Sequence, residues 1–315
     1  MLRLPDHWVW DSWYAHDGAQ HHAFFLRASR ALIDPDRRHL RASVGHAVSP
    51  DLRQWTLKPD ALVAADSPAW DDMATWTGSV MQAPGGKWHM YYTGVSRAES
   101  GLVQRIGLAT SDDLITWTRY GDVPLLEADP RWYEKYDGTT WFDEAWRDPW
   151  VFADPDGDGW HMLITARANE GEPEERGVIG HARSADLLNW EPQPPLSKPD
   201  GFGQMEVPQV AVIDGQPLLI FCCNPPELAP RLRDPRPGGS IWAVAADSIT
   251  GPFDIGRARP FPHPSLYAAR LVRNDDQWSL IGFRDTENDA FIGELTDPIP
   301  VQYLDGGLTA VSDTL

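Results

Sequence analysis

The sequence predicts an all-β protein that folds as a five-bladed β-propeller with a central channel. Three segments align without gaps on the pattern G-x-A-x-S-x-x-L-x-x-W: GHAVSPDLRQW from Gly45, GLATSDDLITW from Gly107 and GHARSADLLNW from Gly180. Two weaker copies follow, WAVAADSITGPF from Trp242 and IGELTDPI from Ile292. Repeats of this length are typical of propellers, in which each repeat forms one blade. We therefore expect residues 1–315 to form one five-bladed domain.

Each repeat is predicted to contain a β-hairpin followed by a third strand. Turns rich in Gly, Asp and Asn divide short apolar strands at five places: HDGAQ, APGGK, DPDGDG, IDGQP and NDDQ. The third strand is the G-x-A-x-S segment, which ends at Trp55, Trp117 or Trp190, and we expect these tryptophans to pack between blades. A fourth, outer strand has no clear pattern. The alternative is a β-sandwich with coincidental internal similarity, against which three gapless matches argue.

The composition restricts the partners and the cellular setting of the chain. Its 46 acidic and 27 basic residues give a net charge of −19, which repels nucleic acid and anionic membranes and is compatible with a neutral substrate. The N-terminus lacks the apolar run of a signal peptide, and no apolar stretch of about 18 residues occurs. The adjacent Cys222 and Cys223 are expected to be buried, reduced thiols. We therefore expect a soluble, cytoplasmic protein, and the oligomeric state is left open.

No motif indicates a metal or a cofactor. The histidines at positions 16, 21, 22 and 46 lack the spacing of zinc ligands. The segment DPDGDGW at 154–160 resembles the start of a calcium loop, but Thr165 stands where such a loop carries glutamate, so we interpret it as a hairpin turn. Phosphate-cradling and nucleophile-elbow motifs do not occur. The sequence thus predicts neither a metal nor a cofactor.

Three acidic residues occupy matching places in the repeat. Asp11, Asp148 and Glu206 each precede the glycine of the first hairpin turn of their blade by seven to nine residues. The matching places in the two remaining blades fall near Thr77 and Ala269, which are uncharged. Because the first strand of each blade lines the channel of a propeller, the three carboxylates are expected to meet at one mouth of that channel.

Such a cluster suits the hydrolysis of a glycosidic bond. Carboxylates packed together shift each other's pKa values, and glycosidases use one carboxyl group to protonate the leaving oxygen and another as nucleophile or base. Nearby tryptophans would supply apolar walls for a sugar ring: Trp8, Trp10, Trp13, Trp76, Trp146 and Trp150. The alternative for any one acid is a strand cap or a pair with an arginine, and Arg147 adjoins Asp148.

Four short motifs resemble the motif set of glycoside hydrolase families 32 and 68. They occur in the same order over most of the chain: VWDSW (9–13), WTGS (76–79), RDP (147–149) and MEVP (205–208). VWDSW is closest to the nucleophile motif of family 68, whereas MEVP is closer to the ECP motif of family 32. The resemblance implies a five-bladed propeller that acts on a small carbohydrate, a β-fructofuranoside such as sucrose or a short fructo-oligosaccharide.

The resemblance also implies a role for each acid. Asp11 corresponds to the nucleophile, Glu206 to the general acid/base and Asp148 to the transition-state stabiliser, which holds sugar hydroxyls. Arg147 is expected to hydrogen-bond the sugar or to orient the acids. Further residues are predicted to contact substrate, either as borders of the sugar subsite or because they flank the nucleophile motif: Trp10, Trp13, His16, Trp76 and Ser79.

The chain departs from both families in ways that leave alternatives open. Family 32 enzymes carry a C-terminal β-sandwich, which we do not expect here, and Gln204 stands where family 68 has a second acid. The balance between hydrolysis and fructosyl transfer is therefore open. The related family 43 propellers, which are inverting arabinofuranosidases and xylosidases, also use two Asp and one Glu. A sugar-binding propeller without catalysis is the third alternative, although binding a neutral sugar does not require clustered acids.

The residues around the acids favour a retaining mechanism. Trp10 and Trp13 flank Asp11 and are expected to keep water from coming between the nucleophile and the anomeric carbon. Glu206 is followed by Val207 and Pro208, and this apolar setting is expected to keep Glu206 protonated as the acid.

Overall fold

Five antiparallel sheets surround a central axis and form a five-bladed β-propeller, as the sequence predicts. The computed structural model describes residues 1–233, 240–263, 265–288 and 290–311. The first four blades have four strands each, and the fifth has five. The first strands of neighbouring blades contact one another around the axis, so the innermost strand of each blade is the first in sequence.

The strands follow one another along the chain from the inside of each blade to its outside. Blade one comprises β1 (His7–His16), β2 (His21–Ser29), β3 (Ser43–Ser49) and β4 (Thr56–Leu62). Blade two comprises β5 (Ala74–Gln82), β6 (Trp88–Val95), β7 (Arg105–Ser111) and β8 (Thr118–Arg119). Blade three comprises β9 (Trp146–Ala153), β10 (Trp160–Arg167), β11 (Gly177–Ser184) and β12 (Glu191–Gln193). Blade four comprises β13 (Glu206–Ile213), β14 (Gln216–Cys222), β15 (Ile241–Ala245) and β16 (Arg259–Pro260).

In blade five, two strands share the third position of the sheet. It comprises β17 (Leu266–Asn274), β18 (Gln277–Glu287), β19 (Ala290–Leu295), β20 (Ile299–Leu304) and β21 (Gly307–Ala310), with β19 and β20 pairing to opposite ends of β18. The N-terminal segment closes the ring, since the backbones of Leu2 and Leu295 exchange two hydrogen bonds of 3.3 and 3.0 Å. Blade five therefore joins the two ends of the described chain.

The helical segments of the described residues are short 3₁₀ helices in the connections. They span Arg30–Leu32, Pro35–Arg41, Pro173–Glu175, Pro225–Glu227, Pro230–Leu232 and Ile255–Arg257. Within these described ranges, no helix has the length and apolar character needed to cross a membrane.

All five predicted turns join the first two strands of a blade. Gly18 and Gly215 have φ values of 97° and 81° in two of them, a conformation that glycine adopts without steric cost. The segment 154–160 is the hairpin turn between β9 and β10, as expected, and Asp154 accepts a hydrogen bond from the backbone of Asp156 at 2.8 Å. The outer strands are as short as two residues in β8 and β16, which explains why the sequence shows no pattern for them.

The repeated Asp residues have a common structural role. In blade three, the Asp186 carboxylate accepts hydrogen bonds from the backbone N–H groups of Leu188 and Asn189 at 2.9 and 2.7 Å, closing the turn after β11. Equivalent bonds form at Asp51 and Asp113. The repeat is therefore first a turn motif.

The repeated tryptophans pack against the preceding blade, which confirms their predicted place between blades. The rings of Trp190 and Tyr91 lie 5.6 Å apart, and those of Trp117 and Phe24 lie 5.5 Å apart, both edge to face. Trp55 packs on a small apolar cluster that includes residues of β17 and β18. The hydrophobic core thus lies mainly between the faces of adjacent blades.

Every innermost strand has a bulge at nearly the same level. The pairing register shifts at Asp11 in β1, at Thr77 in β5, at 148–149 in β9, at 207–208 in β13 and at 268–269 in β17. Asp11, Asp148, Val207 and Ala268 have positive φ values of 26°, 58°, 54° and 43°. Bulges bend a strand and redirect side chains, so each blade presents an irregular stretch of backbone to the axis.

Blades one and three each contain a buried pair of stacked histidines. His161 Nδ1 lies 2.9 Å from His181 Nε2, and His161 Nε2 lies 2.8 Å from the Asp154 carboxylate. In blade one, His22 and His46 make the equivalent contact at 3.0 Å. Burial, followed by the neighbouring His161 and Arg183, lowers the pKa of His181 to about 3.

This pairing predicts a loss of stability in acid that depends on His181. Its folded pKa lies below that of a free histidine, so the unfolded chain binds the proton more tightly and stability falls as the pH drops below about 6.5. When the pH falls from 7 to 4.5, the unfolding free energy of the wild type decreases. The decrease in His181→Gln should be smaller by about 2.5 kcal/mol. Urea unfolding at both pH values measures this difference. The same substitution at the exposed His16 is the control, and an unchanged pH dependence in His181→Gln would contradict the expectation.

Candidate active site

The three acids line one cavity on the propeller axis, at the end where the innermost strands begin. The cavity has a volume of about 320 Å³. Asp11 comes from β1, Asp148 from β9 and Glu206 from β13, and the bulges in these strands place the three residues beside one another. The structure thus brings together carboxylates that are up to 195 residues apart in the sequence.

Arg147 interacts electrostatically with three carboxylates of the cavity. Its Nη2 lies 2.6 Å from Glu206 Oε1, its Nε lies 3.6 Å from Asp148 Oδ2, and its Nη1 lies 3.7 Å from Asp143 Oδ2. The guanidinium also donates to the side-chain oxygens of Gln104, at 3.1 Å, and Gln204. Only 7% of Arg147 is exposed. A buried cation in this position offsets the mutual repulsion of the carboxylates.

Asp148 is held by neutral donors in addition to Arg147. Its Oδ2 accepts hydrogen bonds from Thr165 Oγ1 at 2.8 Å and from the backbone N–H of Val207 at 3.2 Å. Its own backbone N–H donates to Thr93 Oγ1 at 3.0 Å. Burial raises the pKa of Asp148, while the Arg147 guanidinium opposes this rise. Two neighbouring strands therefore fix the side chain in orientation, and a third holds its backbone.

Asp11 has the least compensated charge of the three acids. Thr77 Oγ1 donates to Asp11 Oδ2 at 2.5 Å, and this is the hydrogen bond that the structure gives to its carboxylate. Burial, and then the charges of Asp148 and Glu206, raise the pKa of Asp11 to about 7, although the Thr77 hydroxyl and Arg38 oppose the rise. Asp11 can therefore gain or lose a proton near neutral pH.

The expectation that Glu206 lies in an apolar setting is wrong. Its carboxylate accepts hydrogen bonds from Arg147 and from the hydroxyl of Tyr267. Val207 is 2% exposed and belongs to the core, because the bulge turns its side chain away from the cavity. The groups that face Glu206 are consequently polar and come from other blades.

Three of the residues predicted to contact substrate do line the cavity. Trp10 forms part of its wall and is 2% exposed, and Arg147 lies among the acids. Trp76 also lines the cavity, and its indole Nε1 donates to the backbone oxygen of His39 at 2.7 Å. The two tryptophans give the cavity apolar surface beside its polar groups.

The structure places the other three predicted contact residues away from the cavity, and these assignments are corrected. Trp13 is fully buried and stacks on Phe24, because the bulge at Asp11 shifts the alternation of side chains that follow it. Ser79 accepts a hydrogen bond from the backbone of Val151 and so joins two blades. His16 lies at the turn end of β1, where its ring contacts His21 at 4.5 Å.

The other tryptophans expected near the sugar also pack in the protein core. Trp8 and Trp146 are buried in core clusters, and Trp150 packs at the edge of another. The sequence also contains a Pro-rich segment, 223–239, and neither Arg231 nor Arg233 of this loop lines the cavity. Arg231 pairs with Glu175 and Asp200, whereas Arg233 donates to backbone oxygens of its own loop. Residues 234–239 of that loop lie outside the described residues.

Several cavity residues were not predicted from the sequence. They lie on connections or on the first two strands of blade five: Arg38, Gln104, Asp143, Gln204, Asn224, Glu227, Tyr267 and Asp285. The repeat in the sequence could have pointed to Tyr267, since this residue lies two positions before Ala269, which matches the acids of the other blades. Burial, and then Glu206, raise the pKa of Glu227 to about 7. In the described part of the chain, no group of three or more His, Cys, Asp or Glu side chains could hold a metal ion.

One wall of the cavity has polar atoms that lack partners. Asp143 Oδ1, Gln204 Nε2 and Glu227 Oε2 are buried and make no hydrogen bond in the described structure. Buried polar atoms of this kind are costly unless a ligand or water satisfies them. The wall combines a donor with acceptors, which is the pattern needed to bind hydroxyl groups.

Comparison with known proteins agrees with the fold. Residues 15–242 match the family described as glycosyl hydrolases family 32 N-terminal domain. Fold and site therefore define a propeller of the glycoside hydrolase class. The chain belongs to glycosyl hydrolase family 32. The matched residues contain Asp148 and Glu206, and Asp11 lies just before them.

Individual relatives are similar over part of the chain. An insoluble β-fructofuranosidase isoenzyme of Arabidopsis thaliana is 33% identical over 172 residues, which cover 52% of this chain and 27% of that protein. Fructan 1-exohydrolase w3 of Triticum aestivum is 31% identical over 179 residues, covering 54% and 27%. The chain thus matches about a quarter of the length of these curated relatives.

A solved structure shows the same fold over nearly the whole chain. Inulosucrase from Halalkalicoccus jeotgali bound to kestose has a TM-score of 0.77 at 22% identity, covering 99% of this chain and 91% of that one. At this level of identity the similarity shows a shared fold.

The Thr77 hydroxyl is expected to keep the pKa of Asp11 from rising further. Thr77→Val removes the hydrogen bond to the ionised carboxylate, so the pKa of Asp11 should rise from about 7 to about 8. Carboxyl-detected NMR titration measures this value directly. Thr75→Val is the matched control, because Thr75 is buried on the same strand and its hydroxyl has no partner. Equal titration of Asp11 in both variants would show that the Thr77 contact has no such effect.

Proposed function

We propose that the protein is a retaining glycoside hydrolase acting on β-fructofuranosides, either sucrose or short fructo-oligosaccharides. The observation that carries the proposal is the cluster of Asp11, Asp148 and Glu206 in one cavity, in a chain of family 32. Retaining glycosidases need a nucleophilic carboxylate and a second carboxyl group that serves first as acid and then as base. The cluster supplies both, with a third carboxylate beside them.

The roles follow the surroundings of each acid. Asp11 attacks the anomeric carbon of the fructosyl unit while Glu206 protonates the leaving oxygen, so that the glycosidic bond breaks as the bond to Asp11 forms. Glu206, now ionised, removes a proton from water, which attacks the same carbon and releases fructose and Asp11. Asp148 is held by three strands and accepts hydrogen bonds from sugar hydroxyls. Its negative charge favours the oxocarbenium-like transition state.

The free site must exchange a proton before this reaction. Near neutral pH the cluster retains a proton, since the pKa of Asp11 is about 7. The reaction needs that proton on Glu206 and a negative charge on Asp11. Hydroxyl groups of the bound sugar that donate to Asp11 favour its ionised form. Binding of the substrate therefore prepares the nucleophile, while Arg147 and Tyr267 keep Glu206 in position.

The cavity lining favours a neutral substrate with many hydroxyl groups. Its six carboxylates come from Asp11, Asp143, Asp148, Glu206, Glu227 and Asp285, against two guanidinium groups from Arg38 and Arg147. This excess of negative charge disfavours an anionic sugar. The unpartnered atoms of Asp143, Gln204 and Glu227 can bind hydroxyls of the leaving sugar. A sugar retained there competes with water as acceptor, which allows fructosyl transfer as well as hydrolysis.

Similar proteins support the choice of substrate. The relatives described above include a β-fructofuranosidase, a fructan exohydrolase and an inulosucrase bound to kestose. Release of fructose from sucrose, kestose and levan-type oligosaccharides, compared with cleavage of aryl arabinosides, tests this substrate class. Cleavage of the arabinosides alone would contradict the proposal.

Substitution of the three acids should abolish turnover without unfolding the protein. Asp11→Asn, Asp148→Asn and Glu206→Gln should each lower kcat on the best fructoside by about 10³-fold or more. Asp11→Asn should in addition be more stable by about 4 kcal/mol at pH 8, because the raised pKa of Asp11 costs the wild type stability progressively as the pH rises from about 4 to about 7, and the full cost remains above pH 7. Steady-state kinetics and urea unfolding measure the two effects.

Asp154→Asn is the matched control, since it changes a carboxylate in the hairpin turn that follows β9 and leaves the cavity intact. It should keep near-normal turnover. Near-normal turnover in two of the three cavity variants would show that the roles are assigned to the wrong residues.

The first product should keep the anomeric configuration of the substrate. A covalent intermediate on Asp11 is formed with inversion and hydrolysed with a second inversion, so the net outcome is retention. NMR of the first-formed fructose, recorded before mutarotation, shows the configuration. An inverted product would assign Asp11 the role of a base that activates water, as in the family 43 propellers.

A further inference from the structure

A buried arginine outside the cavity contacts the backbone of two blades that carry the site. Arg270 extends from β17 and is 1% exposed. Its Nη1 donates to the backbone oxygens of Val207 and Pro208 at 3.3 and 2.8 Å, and its Nη2 donates to that of Gly78 at 3.3 Å. The guanidinium also lies 5.0 Å from the ring centre of Trp150. One side chain of blade five thus reaches blades two, three and four.

The contact with Val207 concerns the position of Glu206. Val207 directly follows Glu206 and has a φ of 54°, a left-handed conformation that β-branched residues rarely adopt. Its N–H donates to the Asp148 carboxylate, while its carbonyl oxygen accepts from Arg270. The backbone of Val207 is therefore held on both sides of its Cα. Such a backbone persists only where the surrounding structure determines it, and Arg270 provides one of the two restraints.

The contact with Gly78 concerns the position of Asp11. Gly78 directly follows Thr77, whose hydroxyl donates to Asp11 at 2.5 Å. The bulge of β5 lies at these two residues. By binding the carbonyl oxygen of Gly78, Arg270 restrains the backbone that aims the Thr77 hydroxyl at the nucleophile.

The charge of Arg270 also acts on the acids. The titratable groups that face its guanidinium are Asp148, Asp11, Cys222 and Tyr14. Besides Arg270, the groups that face Asp11 are Asp148, Glu206 and Arg38, together with the Thr77 hydroxyl. Burial lowers the pKa of Arg270 to about 10, so the side chain remains protonated at neutral pH. It is thus a permanent positive charge close to two carboxylates.

We propose that Arg270 is a positioning residue, which holds the bulges of β5 and β13 in register and so aligns Thr77, Asp11 and Glu206 for the reaction. The catalytic part of this inference rests on the proposed function, whereas the alignment of the bulges does not. Arg270 itself does not line the cavity, so it acts through other residues.

Three variants test the proposal: Arg270→Met, Arg270→Lys and the control Arg119→Met. Arg119 is a partly buried arginine of blade two that pairs with Asp71 at 2.7 Å, away from the cavity. Carboxyl-detected NMR titration of Asp11 serves as a readout that needs no turnover. The kcat, KM and pH profile on sucrose or kestose serve as the second readout.

Arg270→Met should raise the titration midpoint of Asp11 by about one pH unit, because a nearby positive charge is lost. It should lower kcat by about tenfold to a hundredfold with little change in KM, since a small misplacement of reacting groups is costly. Arg270→Lys should keep the midpoint of the wild type, but should lower kcat by about tenfold, because one ammonium group cannot replace the fork of a guanidinium. Arg119→Met should change neither quantity.

A folded Arg270→Met with the Asp11 midpoint and kcat of the wild type would overturn the proposal. If near-UV circular dichroism shows that this variant does not fold, wild-type kcat in Arg270→Lys overturns it instead. A wild-type protein that cleaves no fructoside would contradict the proposed function, and the Asp11 titration would still decide whether Arg270 acts on the site.

Discussion

The site depends on one buried guanidinium among carboxylates. Arg147 contacts Glu206 at 2.6 Å and lies within 4 Å of Asp148 and Asp143, in a cavity that contains six acids in all. Without a cation in this place, several of these acids would have to bind protons to remain buried. Arg147 allows Asp148 and Glu206 to stay close and opposes the rise in the pKa of Asp148, whereas it does not contact Asp11, whose pKa is raised to about 7. The position of this one cation thus gives Asp148 and Glu206 different electrostatic surroundings from those of Asp11.

This arrangement opposes folding. A pKa of about 7 at Asp11, against 3.8 for an ordinary aspartate, corresponds to about 4 kcal/mol when the residue is ionised. The packing between blades offsets such a cost. Apolar clusters join neighbouring blades, and the repeated tryptophans contact the blade before them. A ring of similar blades can therefore carry an unfavourable site on its axis, as is common where activity and stability compete.

The strained parts of the backbone lie at the same level as the acids. Regular strands would alternate their side chains and send every second residue into a blade. The bulges at Asp11, Asp148 and Val207 break this alternation and direct carboxylates toward the axis. The positive φ values of Asp148 and Val207 are held by hydrogen bonds between blades, from the backbone N–H of Asp148 to the Thr93 hydroxyl and from Arg270 to the carbonyl oxygen of Val207. The geometry of the site is consequently a property of the closed ring rather than of any single blade.

The sequence alone determined the five blades, their hairpin turns and the common level of Asp11, Asp148 and Glu206. These features follow from local patterns. A turn depends on its own Gly and Asp residues, and the level of a residue in a strand depends on its distance from that turn. Only the tertiary structure decided which neighbours face the acids. A bulge shifts alternation by one residue, so Trp13 enters the core while Trp10 lines the cavity. Asp143 and Glu227 reach the cavity on connections whose paths depend on packing, and the surroundings of Glu206 come from Arg147 and Tyr267 of other blades.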